Sequence, residues 1–211
     1  MTLSSPHCPQ NDSRLGCADV HPFTSTDRTT RQNSSPSRTT LGRVATERLL
    51  ILADTHVPRR ARNLPGQVWE AVAAADVVIH AGDWVDVATL DALQQRARRL
   101  VGVYGNNDGP ELRTRLPAVA RETLGGVHVA VVHETGPATG RERRCSEQYG
   151  DVDVLVFGHS HIPWDTRSET GLRLLNPGSP TDRRRQPHCT YLTAVADEGV
   201  LCEVKLHRLP R

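Results

Sequence analysis

Short apolar runs alternating with helical stretches, from Arg48 onward, restrict this chain more than any other feature. Arg48-Leu49-Leu50-Ile51-Leu52-Ala53 predicts a buried strand, residues 66–75 a helix, and Asp76-Val77-Val78-Ile79-His80 the next strand. Residues 85–99 predict the most clearly amphipathic helix, with Val87, Leu90, Leu93 and Ala97 at helical spacing and Asp86 as a first-turn acid or cap. Residues 100–104 follow as a strand. Further strands are expected at 118–124, 127–132, 152–157, 172–175, 191–196 and 200–206, with Gly125-Gly126 and Asp197-Glu198-Gly199 as hairpin turns. The amino half reads βαβαβ and the carboxyl half is mostly β, an α/β domain.

Composition narrows the function classes. The 211 residues suit one ordinary domain with a remainder. Aromatics are only 4%, so the core must come from Val, Leu, Ile and Ala, and base-stacking surfaces are scarce. The net charge is +2, and five Arg against three Asp within residues 1–46 account for it. Residues 47–211 are formally neutral, which argues against a nucleic-acid polymer as partner. No run of 18 apolar residues exists, so no membrane partner is expected. The five Cys (8, 17, 145, 189, 202) form no CxxC pair and read neither as a disulfide framework nor as a thiolate zinc site. A reducing, cytoplasmic location is the expectation. Residues 1–46, rich in Ser, Thr and Pro without apolar periodicity, are expected to be a disordered extension, and 47–211 the domain.

Five expected strands end in polar groups able to hold metal. They are Asp54-Thr55-His56, Gly82-Asp83, Gly105-Asn106-Asn107-Asp108, His133, and Gly158-His159-Ser160-His161. Ligands of open α/β sheets bind beyond the carboxyl ends of strands, so these tips should converge. Two Asp, one Asn and four His offer oxygen and nitrogen without sulfur, a set suited to Mn²⁺, Fe or Zn²⁺ rather than Ca²⁺. Seven donors exceed what one catalytic ion with an open position needs, but suit two ions sharing a carboxylate. In Asp54-x-His56 and His159-x-His161 an extended backbone would turn alternate residues to one cavity. Gly82, Gly105 and Gly158 precede ligands where the turn is expected to need dihedrals forbidden to other residues.

In the order DxH, GD, GN, H and GHxH, over residues 48–207, these motifs resemble the calcineurin-like metallophosphoesterase superfamily. Asn176-Pro177-Gly178-Ser179 and the short length look most like its small bacterial and archaeal phosphodiesterase branch. The resemblance implies two mixed β-sheets sandwiched between helices, a four-layer α/β/β/α fold. It also implies Asp54, His56 and His161 for one divalent ion, Asn106, His133 and His159 for the other, and Asp83 bridging. Asp83, Asn106 and His133 are expected to carry the catalysis as well. Mn²⁺ is the expected metal, with Fe, Zn²⁺ and Ni²⁺ as alternatives. The implied chemistry is hydrolysis of a small phosphodiester, with ions ~3.5 to 4 Å apart acidifying a bridging water to hydroxide. A protein-binding scaffold of the same fold, as in a retromer coat subunit with a degraded site, and a nuclease are the alternatives. A homo-oligomer is left open.

Two departures from the family pattern stand out. Phosphomonoesterase branches carry a His after the ligand Asn, thought to protonate the leaving group; here Asn107 has no titratable proton to give. Glu134-Thr135 stands where relatives often have Gly-His, so Glu134 either adds an acceptor near the second ion or faces water. Arg59, Arg60 and Asn107 are the candidate substrate contacts, with a solvated loop the favoured alternative for the two arginines and for Arg183-Arg184-Arg185. Asp108, before Gly109-Pro110, reads as a helix N-cap rather than a catalytic group. His80 reads as a core histidine, and Trp84 as either a stacking platform or a core ring.

Overall fold

The computed structural model describes residues 45–210. In chain order the elements are β1 (Glu47–Leu52), α1 (Gly66–Ala74), β2 (Val77–Ala81), α2 (Val87–Arg96), β3 (Leu100–Val103), α3 (Pro110–Arg115), β4 (Val119–Leu124), β5 (Val127–Val132), α4 (Arg141–Gln148), β6 (Val154–Val156), β7 (Trp164–Arg167), β8 (Arg173–Asn176), β9 (Thr190–Asp197) and β10 (Val200–Arg208). The expected extension falls outside the described residues except for Ala45 and Thr46.

Two five-stranded sheets form, ordered β10-β9-β1-β2-β3 and β4-β5-β6-β8-β7. Both are mixed: β1, β2 and β3 run parallel with antiparallel β9 and β10, while β5, β6 and β8 run parallel between antiparallel β4 and β7. The central strands are mostly apolar because each is covered on both faces along most of its length. In β1, Leu49 and Ile51 point between the sheets, whereas Leu50 and Leu52 pack under the helices with Val68 and Val72 of α1 and Leu90 and Leu93 of α2. In β5 and β6, Val129, Val131, Val154 and Val156 face the first sheet, and Ala130, Val132 and Leu155 face α4. This is the expected α/β/β/α sandwich. Its intersheet core is wholly aliphatic, as the low aromatic content requires, and the rings lie in the outer layers at Trp84, Tyr149 and Phe157.

The Gly125-Gly126 turn closes β4 on β5 with Leu124 opposite Val127 and positive φ at both glycines, a two-residue hairpin of the favoured hand. Asp86 caps α2, accepting the Ala88 N–H at 3.2 Å. That helix is shorter than expected at both ends. Asp108 is not the cap of α3: Gly109 occupies that position, and the Asp108 carboxylate turns inward. Trp84 is fully buried, its Nε1–H donating to Val103 O at 2.8 Å, so it is a core ring and no platform for a substrate. Among the described residues no helix is long and apolar enough to cross a membrane.

Candidate metal centre

The carboxyl ends of β1, β2, β3, β5 and β6 meet at one edge of the sandwich, the first three from one sheet and the last two from the other. The β1–β2 ladder is prolonged by Asp54 N–H to Gly82 O (2.9 Å) and His56 N–H to Asp83 O (3.0 Å), which fixes two of the tips side by side. Gly158 N–H to His133 O, 3.0 Å, does the same for β5 and β6.

The ligand turns are not extended, contrary to the expectation for alternate residues. Asp54, His56, Asp83, His159 and His161 have φ between 44 and 68°, in the left-handed region. Such conformations cost of order 1 to 3 kcal/mol each and persist where surrounding contacts over-determine them. The glycine expectation holds by dihedral only at Gly82, with φ of 87°. At Gly105 the constraint is space, since a Cβ there would lie 2.2 Å from Asp83 Oδ1, and at Gly158 it would lie 2.7 Å from Ala81 O.

All seven expected donors come together. His56 Nε2 and His161 Nε2 face each other at 3.2 Å, and His161 Nε2 lies 3.5 Å from Asp54 Oδ1. Asn106 Oδ1 sits 2.9 Å from His133 Nε2 and 3.0 Å from His159 Nδ1. Asp83 lies between the two groups, its Oδ2 3.4 Å from His56 Nε2 and its Oδ1 3.4 Å from His133 Nε2. The first group, Asp54, His56 and His161, is buried, while Asn106 and His159 of the second open to solvent.

The electrostatics call for a cation. Asp54 Oδ2 is buried with no hydrogen-bond partner, and burial pushes the Asp54 carboxyl up to about 8. Left to itself that group would be protonated at neutral pH, so an adjacent positive charge is what would keep it ionised. Burial likewise pushes His161 down to about 4 and lowers His56, favouring neutral imidazoles with lone pairs to give. His133 is opposed by burial too, but its hydrogen bond to Asp83 and the charges of Asp54 and Asp83 win and raise it. Burial disfavours charge on Asp83 as well, yet His133 and the two Asn107 donors outweigh it and hold the carboxyl below its usual range. Nδ1–H of His133 donates to Ala81 O (2.8 Å) and Nδ1–H of His161 to Asp182 O (2.6 Å), so Nε2 is the nitrogen each ring turns to the centre and the one that would give its lone pair to an ion, for His133 in place of the proton it shares with Asp83. The residues present therefore fit divalent ions.

Of the candidate substrate contacts, Asn107 is spent on Asp83, with its backbone N–H 2.9 Å from Oδ1 and its Nδ2 2.6 Å from Oδ2. Arg60 is exposed and paired through Nε with Asp182 Oδ2 at 3.2 Å, and Arg59 is exposed. Arg184 reaches the rim instead, Nη1 donating to His159 O at 3.3 Å. His80 is a core histidine, with Gly82 N–H donating to Nδ1 and Nε2–H facing Thr55 Oγ1.

Four supporting residues carried no legible role in the sequence. Asp108 accepts the backbone N–H groups of Asp83 (3.1 Å), Val85 (2.7 Å) and Gly105 (2.7 Å), tying the β2 and β3 tips together. Asp182 orients His161. Ser179 Oγ donates to Asp54 O (2.7 Å), and Asn176 Nδ2 donates to Gly158 O (2.8 Å). The Asn176-Pro177-Gly178-Ser179 run, a mark of the family branch in the sequence, is the signal that could have found the last two.

The calcineurin-like phosphoesterase superfamily domain matches residues 48–199. A Methanocaldococcus jannaschii protein named a probable metallophosphoesterase is 37% identical over 134 residues, 62% of this chain and 67% of that one. A phosphodiesterase of the same organism is 25% identical over 134 residues, 60% of this chain and 75% of its own. The solution structure of a Thermotoga maritima protein superposes with a TM-score of 0.62 at 31% identity, covering 77% of this chain and 99% of that one.

Proposed function

Because the chain belongs to the calcineurin-like phosphoesterase superfamily, we propose that it is a metal-dependent hydrolase of small phosphodiesters whose centre holds two divalent ions. The observation that carries this reading is the placement of Asp83 between two donor groups, beside an Asp54 oxygen that is buried and unpartnered. Asp54, His56 and His161 would hold one ion, Asn106, His133 and His159 the other, and Asp83 would serve both. Ions so held would supply Lewis acidity, an acidified water as nucleophile and positive charge for the phosphoryl oxygens.

The chain's own residues do the rest. Backbone hydrogen bonds on His133 and His161 fix their tautomers, so neither imidazole need turn to present Nε2. Asn107 holds both oxygens of Asp83 and so aligns the shared carboxylate. Residue 107 donates no proton to a departing alkoxide, which favours substrates whose alcohol leaves unaided. The distant relative named a phosphodiesterase supports the same preference. A cavity of about 260 Å³ beside the solvent-open donors, lined by Tyr104, Arg113, Val119, Val132, Glu134 and Tyr149, gives room for that alcohol. Donors without sulfur suit Mn²⁺, with Fe, Zn²⁺ and Ni²⁺ as competitors.

Elemental analysis of the purified protein, paired with hydrolysis of an aryl phosphodiester after chelation and Mn²⁺ readdition, tests the proposal. Two ions per chain and activity restored by Mn²⁺ are expected. Asp83→Asn should remove at least ~100-fold of that activity without unfolding the protein. No hydrolysis under any metal would leave a binding scaffold, and nicking of plasmid in preference to the small diester would make it a nuclease.

A further inference from the structure

We propose that Glu134 is a further ligand-bearing carboxylate, giving the second ion an acidic donor of its own. The inference rests on the two-ion reading above and deepens it. Glu134 directly follows His133 at the end of β5, and its Oε1 lies 3.8 Å from His159 Nδ1. One donor atom from each of His133, Glu134 and His159 falls within 4.8 Å of the others. Ligand distances of ~2.0 to 2.2 Å put donors around one ion ~3 to 4 Å apart, so this spacing needs little adjustment.

Charge gives the second reason. Without Glu134 the first group has Asp54 and the shared Asp83, whereas the second has only Asp83 with neutral Asn and His donors. With it, each ion has one carboxylate of its own and one in common, a harder and more anionic set that favours Mn²⁺ or Fe over softer competitors.

Glu134 is also held in place. Arg144 Nη2 donates to Thr135 O at 3.2 Å and Arg141 Nη2 to Gly136 O at 3.3 Å, so the two residues after it are pinned to α4. Arg141 is itself buried between the rings of Phe157 and Trp164, its guanidinium carbon 4.8 and 4.6 Å from their centroids. The half-exposed Glu134 side chain thus leaves a fixed backbone on the solvent side of the centre, where a ligand can exchange as substrate arrives.

Titration of metal-free full-length protein with Mn²⁺, followed by calorimetry and by electron paramagnetic resonance, tests this. Wild type should take up two ions, and Glu134→Gln should weaken one of the two at least ~10-fold while leaving the other and the metal-free melting temperature unchanged. Two ions bound with unaltered affinities in Glu134→Gln overturn the inference and leave the two-ion reading standing. A raised KM for the diester with unaltered Mn²⁺ affinities also overturns it, assigning Glu134 to substrate. Fewer than two ions in wild type would instead sink the reading beneath it.

Discussion

Asn107 and His80 show how single side chains bear on the leaving group and on the pH dependence of stability. With an amide at 107 committed to Asp83, no acid stands there to protonate a leaving alkoxide. A positioned general acid contributes typically ~10² to 10⁴-fold, most for poor leaving groups. Aryl diesters should therefore be cleaved at least ~100-fold faster than alkyl monoesters in parallel kcat/KM measurements. Equal rates would mean that another residue supplies the proton. His80 is fully buried, and burial pushes its imidazole down to about 3, whereas in the unfolded chain it titrates near ~6.5. Between those values the unfolded chain takes up a proton that the folded protein refuses, so stability is fullest above ~6.5 and falls as pH drops toward 3. His80→Gln should flatten that acid limb, read as the difference in urea midpoint between pH 7 and pH 5. A slope unchanged by the substitution would place its origin in other groups.

At the scale of elements, the centre depends on loops tied together by Asp108. Its carboxylate accepts three backbone N–H groups from two strand tips, and two of those donors, Asp83 and Gly105, adjoin or are themselves part of the ligand turns. Asp108→Asn turns a donor toward one of those amides and should cost roughly 1 to 3 kcal/mol, measured by urea denaturation of metal-free protein, and should weaken Mn²⁺ uptake as well. A midpoint within error of wild type would show that the turns hold without it. The strands that carry the donors were legible because burial on both faces makes β1, β2, β5 and β6 predominantly apolar, with His80 and the exposed His128 as interruptions, up to an abrupt polar tip. Asp108 was not, since its identity beside Gly109-Pro110 speaks for a local cap while its actual partners lie mostly some 25 residues back in the chain. Neither β7 nor α4 was legible. Trp164-Asp165-Thr166-Arg167 is an edge strand without a buried face, and α4 is Arg-Glu-Arg-Arg-Cys-Ser-Glu-Gln, anchored by Arg141 and Cys145. Their placement comes from distant rings and carbonyls that no local period reports.

Across the whole molecule, the donors are divided between the sheets: Asp54, His56, Asp83 and Asn106 follow strands of one, and His133, His159 and His161 strands of the other. Bound ions would add a cross-link between two layers already joined by aliphatic packing and by hydrogen bonds such as His133 Nδ1–H to Ala81 O, so metal and global stability should be coupled. At a hundredfold excess over Kd a site adds ~2.7 kcal/mol, which for a domain of this size raises the melting temperature by roughly 5 to 10 °C. A scan of chelated protein with and without Mn²⁺ checks this, and an unmoved transition would mean that the donors take no ion when folded. The indole of Trp84 stacks on the His80 ring with centroids 3.5 Å apart, one residue beyond Asp83. It is therefore a native fluorophore seated behind the donor cluster. Its quantum yield should respond when cations load or acid reaches His80, against a background from Trp69 and Trp164, so the protein carries its own optical gauge of occupancy without any attached dye.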